Sequence, residues 1–256
     1  MPRITLLTDF GTADGFIGAV KGVMQSIYPG VGMDDIAHDL PRGDVVAGAR
    51  ALERYWRSWP VGTVHMAVVD PGVGSDRRAL VVEADRRLLV APDNGILSPV
   101  FAGRERWKAF EITNPDLQLP DPSRTFHGRD IFAPAAAYLA RGVHPARFGS
   151  PVDDPVRLES TPEPDRSEGL IRGQVISTDR FGNLITNVEW NSIPEDAEVE
   201  IEGARVPLGR SYSDVPHLSP VALGNSQGRL EVAARDGSAS EVLGAGVGAS
   251  VRVHLR

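Results

Sequence analysis

The sequence predicts an α/β fold in two domains: an N-terminal domain on a mostly parallel sheet flanked by helices, and a smaller C-terminal antiparallel β domain. Three observations predict it. In the first half, short apolar runs alternate with stretches of helical period, the pattern of strands joined through helices. Between Gly142 and Gly169, five prolines and several charges leave no period at all, as in a linker or surface traverse. Beyond that stretch, short β-like segments follow one another between glycine and proline turns. The division expected from this is 1–166 and 167–256. At 256 residues, 41% hydrophobic and 24% charged, the chain can build both cores.

Taken in order, Ile4–Leu7 is a buried strand that runs into the loop Thr8-Asp9-Phe10-Gly11. Asp14–Tyr28 carries Phe16, Ile17, Val20, Val23, Met24 and Ile27 at helical spacing and is stopped by Pro29-Gly30. A short strand follows near 31–36, and 44–56 is a second amphipathic helix. Gly62–Val69 is almost continuously apolar, as a strand covered on both faces must be. Ala79–Val82 and Leu88–Ala91 read as a hairpin turning at Asp85-Arg86-Arg87, and Ile131–Leu139 as the last helix of this half. The later strands are expected at 171–177, 184–188, 198–201, 221–223, 230–233 and 251–255.

Composition excludes several chemistries. There is no cysteine, hence no disulfide, thiolate metal site or cysteine nucleophile. The formal charge of −7 argues against a nucleic-acid partner. Twenty-five of the 27 basic residues are arginine, a skew that reflects base composition more than mechanism. No apolar run reaches the roughly 18 residues of a membrane helix, and the N-terminus has no signal-peptide pattern, so a cytoplasmic protein is expected. P-loop, zincin and nucleophile-elbow strings are absent. The one glycine string resembling a dinucleotide fingerprint, 244–249, has no room for a following helix.

Three segments stand out. Asp9, after the first strand, is either a turn or capping residue or an acceptor for ribose hydroxyls at the carboxyl edge of the sheet. In Val69-Asp70-Pro71-Gly72-Val73-Gly74-Ser75-Asp76-Arg77-Arg78, two glycines and a proline make a tight loop. Asp70 and Arg77 can fold back there as a pair, structural or functional. His127, in Thr125-Phe126-His127-Gly128-Arg129-Asp130, is a titratable imidazole at a helix entry. The other histidines (38, 65, 144, 217 and 254) have no such setting and belong to core or surface.

Together these strings resemble the S-adenosylmethionine (SAM) hydroxide adenosyltransferase family, SAM hydrolases related to fluorinase and chlorinase. The matching strings are T-D-F-G at 8–11, V-D-P-G-V-G-S-D-R-R at 69–78, A-P-D-N-G at 91–95 and T-F-H-G-R-D-I-F-A-P at 125–134. D-R-F-G-N-L-I-T-N at 179–187 and N-S-Q-G at 225–228 follow, so the matches run in order through most of the chain. The resemblance implies hydrolysis of S-adenosyl-L-methionine to adenosine and L-methionine, with Asp70, Arg77 and His127 as the catalytic set. It implies substrate contacts from Asp9, Phe126, Asp179, Phe181, Asn183, Asn225 and Ser226. It also implies a homotrimer with sites between subunits, no metal and no cofactor. Arg235 departs from the family, which carries asparagine there.

The chemistry agrees with that resemblance. A sulfonium leaves as a neutral thioether, so only the attacking water needs help, and a cation beside it favours hydroxide. Two rivals remain at this point. A SAM-dependent halogenase would use an anion, which a carboxylate at Asp70 repels; a noncatalytic SAM or nucleoside sensor has no use for a water-activating set.

Overall fold

The computed structural model describes residues 2–102 and 106–255. The chain divides into two compact units, Met1–Leu158 and Glu159–Arg256. No helix among the described residues is long and apolar enough to cross a membrane.

The first unit is a seven-stranded sheet. Its strands are β1 (Arg3–Thr8), β2 (Gly32–Ala37), β3 (Val64–Val68), β4 (Ala79–Ala84), β5 (Arg87–Pro92), β6 (Trp107–Glu111) and β7 (Pro151–Val152), in spatial order β2-β1-β3-β5-β4-β6-β7. The four strands β2, β1, β3 and β5 run parallel, whereas β4, β6 and β7 continue the sheet antiparallel. Helices α1 (Phe16–Ile27), α2 (Val45–Tyr55), α3 (Ser98–Phe101) and α4 (Ala133–Ala140) cover it. Because successive side chains of a strand face opposite ways, Ile4 and Leu6 of β1 join one core with Val20 and Met24 of α1, while Leu7 joins another with Leu52 of α2, Trp56 and Ile96. Each such fully buried side chain contributes about 1.5–3 kcal/mol.

Local signals account for some boundaries. Asp44 caps α2 by accepting the Ala47 N–H at 2.8 Å. Asp85 and Arg86, both at positive φ, form the two-residue turn of the β4–β5 hairpin. The expected helix at 131–139 differs at its entry. Gly128–Phe132 is a π turn, and the α-helix proper starts only at Ala133. Pro134 has no N–H to offer the carbonyl of Asp130, and that carbonyl accepts the Leu119 N–H at 2.9 Å. The proline-rich stretch also differs from a plain traverse. Its first part carries β7 and is tied to the first unit through Val156 N–H to Asp93 and Leu158 N–H to Ser98, each at 2.8 Å.

The second unit is built on an antiparallel sheet: β8 (Asp165–Ser167), β9 (Leu170–Thr178), β10 (Leu184–Glu189), β11 (Glu198–Ile201), β12 (Ala204–Val206), β13 (Pro220–Gly224), β14 (Arg229–Ala234) and β15 (Ser250–His254). The order is β12-β11-β15-β9-β10-β14-β13, with β8 on β9, and a short helix α5 (Ala239–Leu243) precedes the last strand. Ile171, Val175, Leu184, Val199, Val232 and Val251 form its core.

Candidate active site

The parallel strands β1, β3 and β5 all end at one edge of the sheet, where open α/β folds bind ligands. Asp9 follows β1, Asp70 follows β3, and Asp93 and Asn94 follow β5. Gly74 shows why the loop after β3 needs its glycines. Its φ is +81°, and a Cβ there would lie 2.3 Å from the carbonyl oxygen of Arg124, so the backbone of this loop presses against the segment that leads to His127. Asn94 supports the loop from below, donating from Nδ2 to the Val69 carbonyl at 2.8 Å.

Asp70, Arg77 and His127 meet. The Arg77 guanidinium forks onto Asp70, with Nε at 3.1 and 3.0 Å from the two carboxylate oxygens and Nη2 at 2.5 Å from Oδ2. The same Nη2 lies 2.7 Å from His127 Nδ1. Both side chains of the pair are largely buried, 5% exposed for Asp70 and 10% for Arg77, and the guanidinium lies 5.3 Å from the ring centroid of Phe132. Arginine only donates, so His127 Nδ1 is the acceptor and the neutral ring carries its proton on Nε2. Burial, and next the positive charge of Arg77, push the His127 pKa below its ordinary value; Asp70 and Asp130 oppose that shift.

Phe126 stands edge-on to Phe10 and Phe16, with ring centroids at 5.9 and 5.2 Å. Asp9 accepts the Gly43 N–H at 2.8 Å through Oδ2, so at least one oxygen performs the loop-tying job left open above. His38 and His65 are buried: His38 pairs with Thr8 at 2.8 Å and His65 with Thr5 at 2.7 Å. Desolvation, with the charge of Arg87, lowers the His65 pKa to about 3 and keeps it neutral. Sequence reasoning assigned no task to Asp93, Asn94 or Asp130. The A-P-D-N-G and T-F-H-G-R-D strings held them, but Arg78 and Val156 on Asp93, Val69 on Asn94, and Ser123 and Leu119 on Asp130 lie outside those strings.

In the second unit, the turn between β9 and β10 carries Asp179, Phe181 and Asn183. Asp179 Oδ1 accepts the N–H groups of Phe181 and Asn183, both at 2.9 Å, and Oδ2 accepts Asn183 Nδ2 at 3.0 Å. Phe181 is 75% exposed at the tip. Gly182 has φ +82°, and a Cβ would lie 2.0 Å from Ser238 Oγ. The turn between β13 and β14 is built alike: Asn225 Oδ1 accepts the N–H groups of Gln227 and Arg229 at 2.9 and 3.0 Å, and Ser226 is exposed beside it. Among the described residues, no group of three or more histidine, aspartate or glutamate side chains is arranged to hold a metal.

A strand-edge site of this kind, on an α/β unit followed by an antiparallel β unit, defines a class of small-molecule enzyme. Sequence comparison specifies which one. The chain matches the SAM hydroxide adenosyltransferase N-terminal domain over residues 4–149 and the C-terminal domain of that family over residues 173–252, and it belongs to that family. A relative from Thermus thermophilus, named (R)-S-adenosyl-L-methionine hydrolase, is 40% identical over 99% of this chain and 100% of its own. A fluorinase from an Actinoplanes species is 27% identical over 91% of this chain and 90% of its own. Among solved structures, an uncharacterized conserved protein from Thermotoga maritima superposes with a TM-score of 0.89 at 31% identity, covering all of both chains.

Proposed function

We propose that the protein hydrolyses S-adenosyl-L-methionine to adenosine and L-methionine by attack of water on the ribose C5′. The observation that carries this reading is the single guanidinium of Arg77 shared between Asp70 and His127. The C5′–O bond forms as the C5′–S bond breaks, and sulfur leaves with its electron pair as a neutral thioether. No acid is needed for departure, and this chemistry calls for neither metal nor organic cofactor. The water gives up one proton.

The hydrogen-bond network supports a division of roles. His127 Nδ1 is occupied by Arg77, so the ring presents Nε2–H and orients the water as a donor. A carboxylate has about four acceptor sites, and Arg77 occupies three of those on Asp70. Asp70 therefore keeps capacity to take the proton, and Arg77 stabilises developing hydroxide. Asp9 and Phe126 bind the ribose side. Asp179, Phe181, Asn183, Asn225 and Ser226 bind the remainder, in a homotrimer whose sites draw on neighbouring subunits. A cytoplasmic location suits this substrate.

Incubation with SAM, with and without excess chloride, tests the reading. Adenosine and methionine in equal amounts are expected in both. Formation of 5′-chloro-5′-deoxyadenosine favours the halogenase reading that kinship with fluorinase raises, and binding with no product leaves a sensor.

A further inference from the structure

We propose that Asp130 is a positioning residue of this site: from within the helix entry it clamps the segment 119–127 and so sets where Phe126 and His127 stand. The proposal rests on the reading above for what those two residues do, but the clamp itself is a matter of geometry.

Asp130 engages the segment at three places. Its carbonyl, which Pro134 cannot bond for want of an N–H, accepts the Leu119 N–H at 2.9 Å. Its carboxylate, 3% exposed, accepts the Ser123 N–H through Oδ2 at 2.9 Å. Its own N–H, with that of Arg129, donates to the Phe126 carbonyl at 3.1 Å. Two N–H groups sharing one carbonyl, from three and four residues on, is the bifurcated start common at helix termini, and it leads directly into the π turn.

A further link runs through Arg129, whose Nε and Nη2 bond the carboxylate at 2.6 and 3.0 Å while its guanidinium lies 5.1 Å from the ring centroid of Phe126. The carboxylate thus holds the backbone of the segment with one oxygen and, through Arg129, a face of Phe126 with both. The rest of Phe126 is wedged against Phe10 and Phe16, so releasing the clamp frees the ring toward the site. Charge is the second consequence. The charged groups that face His127 are Arg77 and Asp70 from the loop after β3 and Asp130 from the π turn. Asp130 is the anion of the three not bound by Arg77 in the fork.

The test compares the full-length protein with Asp130→Asn and Arg129→Met. Nuclear magnetic resonance follows the His127 imidazole titration, assigned by its loss in His127→Ala, and the exchange of the Ser123 amide; adenosine release from SAM gives kcat/KM. For Asp130→Asn we expect His127 to titrate at lower pH, Ser123 exchange to quicken, and kcat/KM to fall about 10–100-fold, the scale of an ångström-level misplacement. Arg129→Met keeps the anion, so it should lower kcat/KM without moving the titration down.

Wild-type titration and wild-type kcat/KM in Asp130→Asn overturn the proposal. Equal downward shifts in both variants overturn it too, because they indicate general loosening. If Asp130→Asn does not fold, Arg129→Met decides, and a kcat/KM within twofold of wild type refutes the link to Phe126. The resonance readouts need no turnover. A wild-type protein that releases no adenosine therefore defeats the hydrolase reading while the clamp is still judged on its own data.

Discussion

The Asp70–Arg77–His127 set and the Asp179–Asn183 turn hold their side chains in opposite ways. In the first, partners come from distant parts of the chain: Arg77 reaches seven residues back to Asp70 and fifty forward to His127. The pair is buried, and the loop that carries it leans on Arg124 through Gly74. In the second, every bond of the Asp179 carboxylate described above goes to a residue two or four positions on, and the loop tip is solvent-exposed. Long-range contacts specify a charge geometry that chemistry can use. Local ones specify a loop shape that can close around a ligand. The first arrangement should fail in turnover and the second in affinity.

The largest effect expected is on the first set. Asp70→Asn keeps the shape but removes the proposed proton acceptor, and His127→Ala removes the proposed water-orienting donor. Each should lower kcat by about 10²–10⁴-fold with KM changed only a few-fold, measured by adenosine release. Loss confined to KM in either variant would break the contrast, because it would place these residues in binding alone.

Next comes Asp179→Asn, which removes the charge that gathers the Phe181 and Asn183 N–H groups. Charge-assisted bonds are worth about 1.5–3 kcal/mol, so KM should rise roughly 10–100-fold while kcat stays within a few-fold. If sites draw on neighbouring subunits, co-refolding this variant with Asp70→Asn restores some intact sites. Activity above the average of the two parents is the expected reading, and activity equal to that average argues for sites confined to one chain.

This contrast also explains what the sequence made legible. The strand–helix alternation around β1 and β3 was readable because Ile4–Leu7 and 62–69 are mostly apolar whichever partner covers them. The Asp179–Asn183 turn was singled out only by family resemblance, although its carboxylate bonds close within that string. Strand β6 was not, since Trp107–Glu111 has its role from pairing with β4, which no local pattern announces. The π turn at 128–132 was not legible either: Gly128–Asp130 read as loop and Ile131–Phe132 as the start of an ordinary helix, because the Pro134 effect depends on Leu119 being there to use the carbonyl of Asp130. At the candidate site, Asp70, Arg77 and His127 were legible as candidates, and the structure brings them together, but the tautomer of His127 was not legible, since it follows from an arginine fifty residues away.

The smallest effect, and the one that sharpens the comparison most finely, is pH dependence. His127 has to be neutral to accept from Arg77, because protonation would set a second N–H against the guanidinium. Its pKa lies below the ordinary 6.5, first through burial and then through Arg77. The acid limb of kcat/KM should therefore fall below the ordinary histidine range, and activity, present above the lowered pKa, should be lost only as pH drops through it. Stability moves with the same sign. Beneath about pH 6.5 the unfolded chain binds a proton that the folded one refuses, so the fold weakens as pH falls across that window. Circular dichroism at each pH separates the two: an acid limb with intact secondary structure reports His127, whereas one that coincides with unfolding does not. The Asp179→Asn variant serves as the control, since its loop contributes no group to this limb. Its KM should be raised at every pH while its limb coincides with wild type, and a displaced limb there would show that the two regions are electrostatically coupled rather than separate.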